Sequence, residues 1–160
     1  MPGWHAPDDE EAYNKEAAEV LGAVRMDRKL VQTSQNKRGF EPSDLITEED
    51  VYVHVKSATS SAPLSHLFAQ GGNSAHALQH DEEARAKLRE RVQQRGGDAK
   101  LIGPRPRKVV YAIRPKEVGG TVTAGDLFSF SKVSLVRVFD ELEGRGIEVR
   151  VTSIDYLPPE

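Results

Sequence analysis

The segment Val51-Tyr52-Val53-His54-Val55-Lys56 constrains this chain more than any other. β-Branched residues alternate there with aromatic and polar ones, and side chains in a strand alternate between faces. The alternation sets Val51, Val53 and Val55 on one face and Tyr52, His54 and Lys56 on the other. A histidine and a lysine sharing a strand face make this strand the first place to look for a working site.

The flanking sequence supplies the elements that pack on it. Asp8 to Gly22 reads as a helix. Asp8 or Asp9 caps it, and acids crowd its first turn, where the helix dipole favours them. Tyr13, Ala17, Val20, Leu21 and Val24 recur at helical spacing as its buried stripe, with Glu16 beside them. Val24 to Thr33 reads as a strand, 34–39 as a hairpin-like turn, and Phe40 to Ile46 as a second strand. Pro42 marks that strand as an edge or a bulge. Thr47-Glu48-Glu49-Asp50 is a polar turn into the Val51–Lys56 strand. Pro63 then opens a short helix over Leu64 to Gln70, which Gly71-Gly72 ends. Ser74 to Gln94 holds one or two more helices. Gly96-Gly97 and Gly103 to Pro106 form a linker, and Lys108 to Arg114 is a strand. An amphipathic helix over Ser131 to Glu143, capped by Ser129 or Ser131, precedes a last strand, Ile147 to Ile154.

The expected order is thus αβββαβαβ, a mixed sheet with helices packed on it. That is an α/β (α+β) fold in one domain over residues 8–154. Residues 1–7 read as a disordered arm and 155–160 as a tail. A length of 160 residues and an apolar content of 38% suit one modest core. The apolar runs are too short to span a membrane. With no cysteine, disulfides, thiolate metal sites and a cysteine nucleophile are excluded. The acidic N-terminus is no secretory signal, and the whole suits the cytoplasm.

Net charge is −3, which does not by itself argue for nucleic acid. The basic residues fall in two groups, however. One runs from Arg85 to Arg95, where a solvated, salt-bridged helix face is an equal reading. The other includes Lys100, Arg105, Arg107, Lys108, Arg114 and Lys116.

Two acids, Glu41 and Asp44, precede His54-Val55-Lys56. Phosphodiester hydrolysis needs carboxylates to hold a divalent metal, a water made acidic by it, and a cation to neutralise developing charge. Asp44 with Glu41 or Glu16 can supply carboxylates for Mg²⁺ or Mn²⁺, and Lys56 the cation. Ser65, His66 and Gln70 follow on a helix with a Ser-rich start, a place that suits phosphate. Two histidines and a lysine this close also admit a metal-independent reading, with His54 and His66 as acid and base. His76 and His80 have the i, i+4 spacing of a zinc pair but lack the glutamate of an H-E-x-x-H motif.

Asp44, then His54-x-Lys56, resembles the PD-(D/E)XK nuclease superfamily. That family carries an acid on the second strand of a meander, acid-x-Lys on the third, and often a glutamate on an earlier helix. The resemblance implies a restriction-endonuclease-like core and metal-dependent cleavage of nucleic acid, DNA ahead of RNA. Asp44, His54 and Lys56 would be catalytic, with Glu16 as the helix glutamate. His54 stands where the family usually has Glu or Asp. A non-catalytic nucleic-acid-binding or assembly module on the same core is therefore the competing expectation. Ser65, His66, Gln70, Arg105, Arg107 and Lys108 would contact the nucleic acid, and a homodimer or a protein partner stays open. A second resemblance rests on 53–56, 64–71 and Ser74, with Tyr13-Asn14, Asp27-Arg28-Lys29 and 130–135. It points to a sporadically distributed, uncharacterised bacterial family, whose patchy occurrence suggests mobile or defence-associated genes, and so defence against foreign DNA as one setting for the nuclease expectation.

Overall fold

In the computed structural model, which describes residues 1–26, 29–123 and 125–159, a five-stranded mixed sheet carries helices on both faces. The order along the chain is β1 (Trp4–His5), α1 (Glu10–Leu21), β2 (Val24–Arg25), β3 (Leu45–Glu48), β4 (Val51–Ser57), α2 (Ser61–His80) and α3 (Glu82–Gln94). A short 3₁₀ turn (Ala99–Leu101), β5 (Lys108–Arg114), α4 (Ser129–Glu143), β6 (Glu148–Ser153) and β7 (Tyr156–Leu157) complete it. The main sheet runs β2-β3-β4-β5-β6. The first three strands form an antiparallel meander, and β5 and β6 add parallel to β4. The fold is the mixed α/β class that the element order implies.

Alternation in β4 decides the layering. Val53 and Val55 pack with Tyr13, Ala17 and Ala18 of α1, whereas Tyr52 packs with Leu78 of α2 and Leu88 of α3. The same alternation in β5 sends Val109, Tyr111 and Ile113 toward α2 and α4, and Ala112 toward α1. α1 begins at Asp9, whose carboxylate accepts from the Ala12 N–H, and ends at Gly22 in the left-handed region, φ 61°. Its buried stripe is Tyr13, Asn14, Ala17 and Ala18, while Val20 and Leu21 are exposed.

Several expectations are corrected. Residues 1–7 are not a loose arm: Trp4 is buried and stacks on Tyr13 with centroids 4.4 Å apart. β1 pairs in parallel with β7, so the expected tail at 155–160 supplies a strand. The strand expected over Val24–Thr33 is only Val24–Arg25, within a span whose residues Asp27 and Arg28 lie outside the described ones. Phe40–Ile46 yields a strand only from Leu45 on, Phe40 making one isolated bridge to Val31. β3 runs on to Glu48, leaving a tighter turn in which Asp50 takes φ 58°.

Contrary to expectation, Gly71-Gly72 does not end a helix. α2 passes straight through it for 20 residues. A Cβ on Gly71 would lie 2.6 Å from Cε1 of Tyr111, and one on Gly72 3.4 Å from Val138. The glycines let α2 lie close on β5 and α4, so their role is packing. Asp81 stops α2 instead. Its carboxylate accepts from the N–H groups of Glu83 and Ala84 and caps α3.

Candidate functional site at the carboxyl end of β4

β4 and β5 point their carboxyl ends the same way, and the meander returns the head of β3 to that end. Asp44 stands just before β3. Its Oδ2 accepts from the backbone N–H of Val55 at 2.7 Å, and its Oδ1 from Nδ2 of Asn14 on α1 at 3.4 Å. Burial pushes the Asp44 carboxyl up to about 7. The carboxylates of Glu10 and Glu41 add to the rise, and the Val55 N–H and Lys56 oppose it. Asn14 is itself buried, and its Oδ1 has no hydrogen-bond partner among the described residues.

Lys56 shares its parity with His54, but its amine leaves that face. Nζ lies 2.9 and 3.2 Å from the two carboxylate oxygens of Glu10, in the first turn of α1. Glu41 accepts a hydrogen bond from Nε2 of Gln70, which ties the loop before β3 to α2. Glu10, Asn14, Glu41, Asp44, Lys56 and Gln70 thus gather at one end of the sheet.

Several of the remaining expected residues lie elsewhere. Glu16 is exposed beside the N-terminal segment, in a hollow with His5, Asp8 and Pro159. Glu10, six residues earlier, is the α1 glutamate that reaches the site. Helix spacing pointed to Glu16, which lies beside the apolar stripe in sequence. The cap at Asp9 and the landing point of α1 on the sheet decide it. His54 is wholly buried against Tyr111, ring centroids 5.8 Å apart, with Nε2 unpartnered among the described residues. Burial holds its imidazole down to about 4, which keeps the ring neutral. It therefore does not join Lys56 at the strand end, nor His66, whose side chain is exposed at a cleft.

Ser65 Oγ is buried and has no partner among the described residues. α2 is N-capped by Ser60, without a side-chain cap bond. Ser131, expected as a cap of α4, is buried and donates instead to the Ser61 carbonyl at 3.1 Å.

Arg105, Arg107 and Lys108 lie at the opposite end of the sheet. Lys108 pairs with Val51, five residues from the Lys56–Ile113 pair. That separation is roughly 17 Å along an extended strand. Arg107 is ion-paired with Glu48 and Lys108 with Glu148. The basic residues of α3 are structural: Arg85 and Arg89 hold Glu82, Lys87 holds Glu83, and Arg91 donates to the carbonyls of Lys29 and Leu30.

Among the described residues no three His, Asp or Glu side chains converge as a metal cage. The donor chemistry still fits a hard cation. Mg²⁺ binds through one or two carboxylates and keeps its waters. Asp44, beside two further carboxylates and the orphaned Asn14 oxygen, offers an all-oxygen set.

The fold and this edge define a mixed α/β protein with a half-buried acid, two flanking carboxylates and one lysine at the carboxyl ends of its parallel strands. The chain belongs to the family of unknown function DUF6119, whose model matches residues 1–155. No curated protein and no solved structure matches it. Among the described residues no helix is long and apolar enough to cross a membrane.

Proposed function

We propose that this chain is a metal-dependent nuclease that hydrolyses phosphodiester bonds at the carboxyl end of β4, with DNA preferred to RNA as substrate. The observation that carries the reading is the convergence of Asp44 and Lys56 at the carboxyl end of the central strand β4, with Glu10 ion-paired to Lys56 and acting on the Asp44 carboxyl. The meander, the helices after it and the parallel β5 follow the element order of the nuclease core that the sequence resembles.

Asp44 would be the principal metal-binding carboxylate, with Glu10 as the second once Lys56 releases it and Glu41 beside them. The chemistry that Mg²⁺ or Mn²⁺ would supply there is an acidified water and positive charge against the phosphate. Lys56 exchanges Glu10 for the attacked phosphate and stabilises its developing negative charge. Asn14 and the Val55 N–H hold the Asp44 carboxylate in place. The N-terminus of α2, reached four residues after β4, adds the positive end of a helix dipole. His54 takes no part in bond cleavage on this account. It fills the core below the strand.

The test is cleavage of plasmid, single-stranded DNA and RNA with Mg²⁺ or Mn²⁺ and with a chelator. Wild type is expected to cut only with metal. Lys56→Ala and Asp44→Asn are expected to lose about 100-fold or more. Cleavage that survives in chelator, or a Lys56→Ala protein as active as wild type, sinks the reading. Salt-sensitive binding without turnover, with cutting gained on adding an acid at the edge, favours the non-catalytic module.

A further inference from the structure

A cleft of about 390 Å³ lies against the outer face of α2, next to the Glu41–Gln70 contact. Its volume is within the range of small-ligand sites, roughly 300–1,000 Å³. Asn36, Gln70 and Asn73 bring carboxamides to it, and His66 and His76 bring imidazoles. Glu41 is the one charged side chain among the described lining residues, and none of them is lysine or arginine. Among these lining side chains a phosphate would meet a carboxylate and no cation, the nearest guanidinium, that of Arg145, being engaged by His76 at the far end. Amide and imidazole groups on a partly apolar wall suit a flat, neutral, hydrogen-bonding ring. Carboxamides pair with the donor and acceptor edges of bases, and histidine is among the side chains on which unstacked bases rest.

The wall opposite α2 is built in advance. Val31 and Phe40 bridge its loop, Thr33 Oγ1 donates to the buried Asp81 at 2.5 Å, and Ser34 donates to Glu83. At the far end Arg145 donates to His76 Nδ1 at 2.5 Å, which leaves Nε2 as that ring's donor.

We propose that this cleft receives an unpaired nucleobase of the strand cut at the Asp44–Lys56 edge, so that the substrate is single-stranded or locally opened. The inference rests on the nuclease reading for the strand's path. The Glu41–Gln70 contact joins the two places: Glu41 lies by Asp44 and Gln70 lines the cleft.

The test measures binding in chelator, where no cutting occurs, of a fluorescein-labelled single-stranded DNA octamer and of its abasic counterpart at one salt concentration. Wild type is expected to hold the base-bearing octamer about tenfold more tightly. His66→Ala/Asn73→Ala alters two exposed side chains, so it folds, and it is expected to erase the difference while keeping the abasic affinity. Equal binding of the two probes by wild type, no binding of either, or a preference that survives in the double variant overturns the inference. A protein that cuts but shows no base preference leaves the nuclease reading standing without this cleft. One with the preference but no cutting does the reverse.

Discussion

Asp44 and His54 titrate in opposite directions for one reason: burial disfavours the charged form of each. Asp44 rises from 3.8 to about 7, so between about pH 4 and 7 the native protein holds a proton that the unfolded chain has lost. Stability from this group therefore falls as pH rises through that window and stays reduced above it. Asp44→Asn is expected to be more stable than wild type at pH 8, on the order of 1–2 kcal/mol after allowance for screening. The gain shrinks toward pH 4, and hydrolysis is lost. Thermal melts at the two pH values check this, and a lower midpoint than wild type at pH 8 contradicts it. His54 falls from 6.5 to about 4, so the unfolded chain takes the proton first, and stability drops as pH falls through that window. His54→Leu is expected to melt with less dependence on pH between 7 and 5 and to retain cleavage within a few-fold. A folded His54→Leu protein that cannot cut would make the histidine catalytic after all.

Elements were legible where their pattern is local. The alternation of β4, the Asp9 and Gly22 ends of α1, and β5, α4 and β6 all follow from residues close in sequence. What failed depends on distant partners. Trp4 looks like a tail residue until Tyr156 and Tyr13 are beside it. Gly71 looks like a stop until Tyr111 occupies the space its side chain would fill. In an exposed helix Gly→Ala gains about 1 kcal/mol. Here Gly71→Ala is expected to cost about 2 kcal/mol, because α2 must lift from β5. Urea unfolding measures it, and a neutral or stabilising result would mean that α2 is not held this closely. The candidate site was legible only in part for the same reason. Asp44 and Lys56 could be paired from the strand pattern, whereas choosing Glu10 over Glu16 required knowing where the first turn of α1 lands.

Over the described residues, the cations of α3 and those at the start of β5 are engaged by the fold. The α3 cations are tied to Glu82, Glu83 and backbone carbonyls, and Arg107 and Lys108 face Glu48 and Glu148 at the far end of the sheet. Sequence shows that basic residues cluster; it does not show which carboxylate each one meets. Arg107→Ala is accordingly expected to leave cleavage within about twofold, since surface pairs of this kind contribute only about 0–1 kcal/mol. A large loss in a cleavage assay would bring the nucleic acid across the whole sheet. α4 contributes to the core through Val138 and Leu142 yet leaves Phe130, Val133, Val136 and Phe139 exposed. Its amphipathic pattern was therefore only half the truth. Glu10, Asp44 and Lys56 at the carboxyl end of β4 form the proposed cleavage site, and one paired rate comparison tests it most directly: Mn²⁺-dependent cleavage of single-stranded DNA by Glu10→Gln and by Glu16→Gln. The first is expected to fall by about 100-fold and the second to match wild type. Equal rates for both, or loss only in Glu16→Gln, would contradict the account.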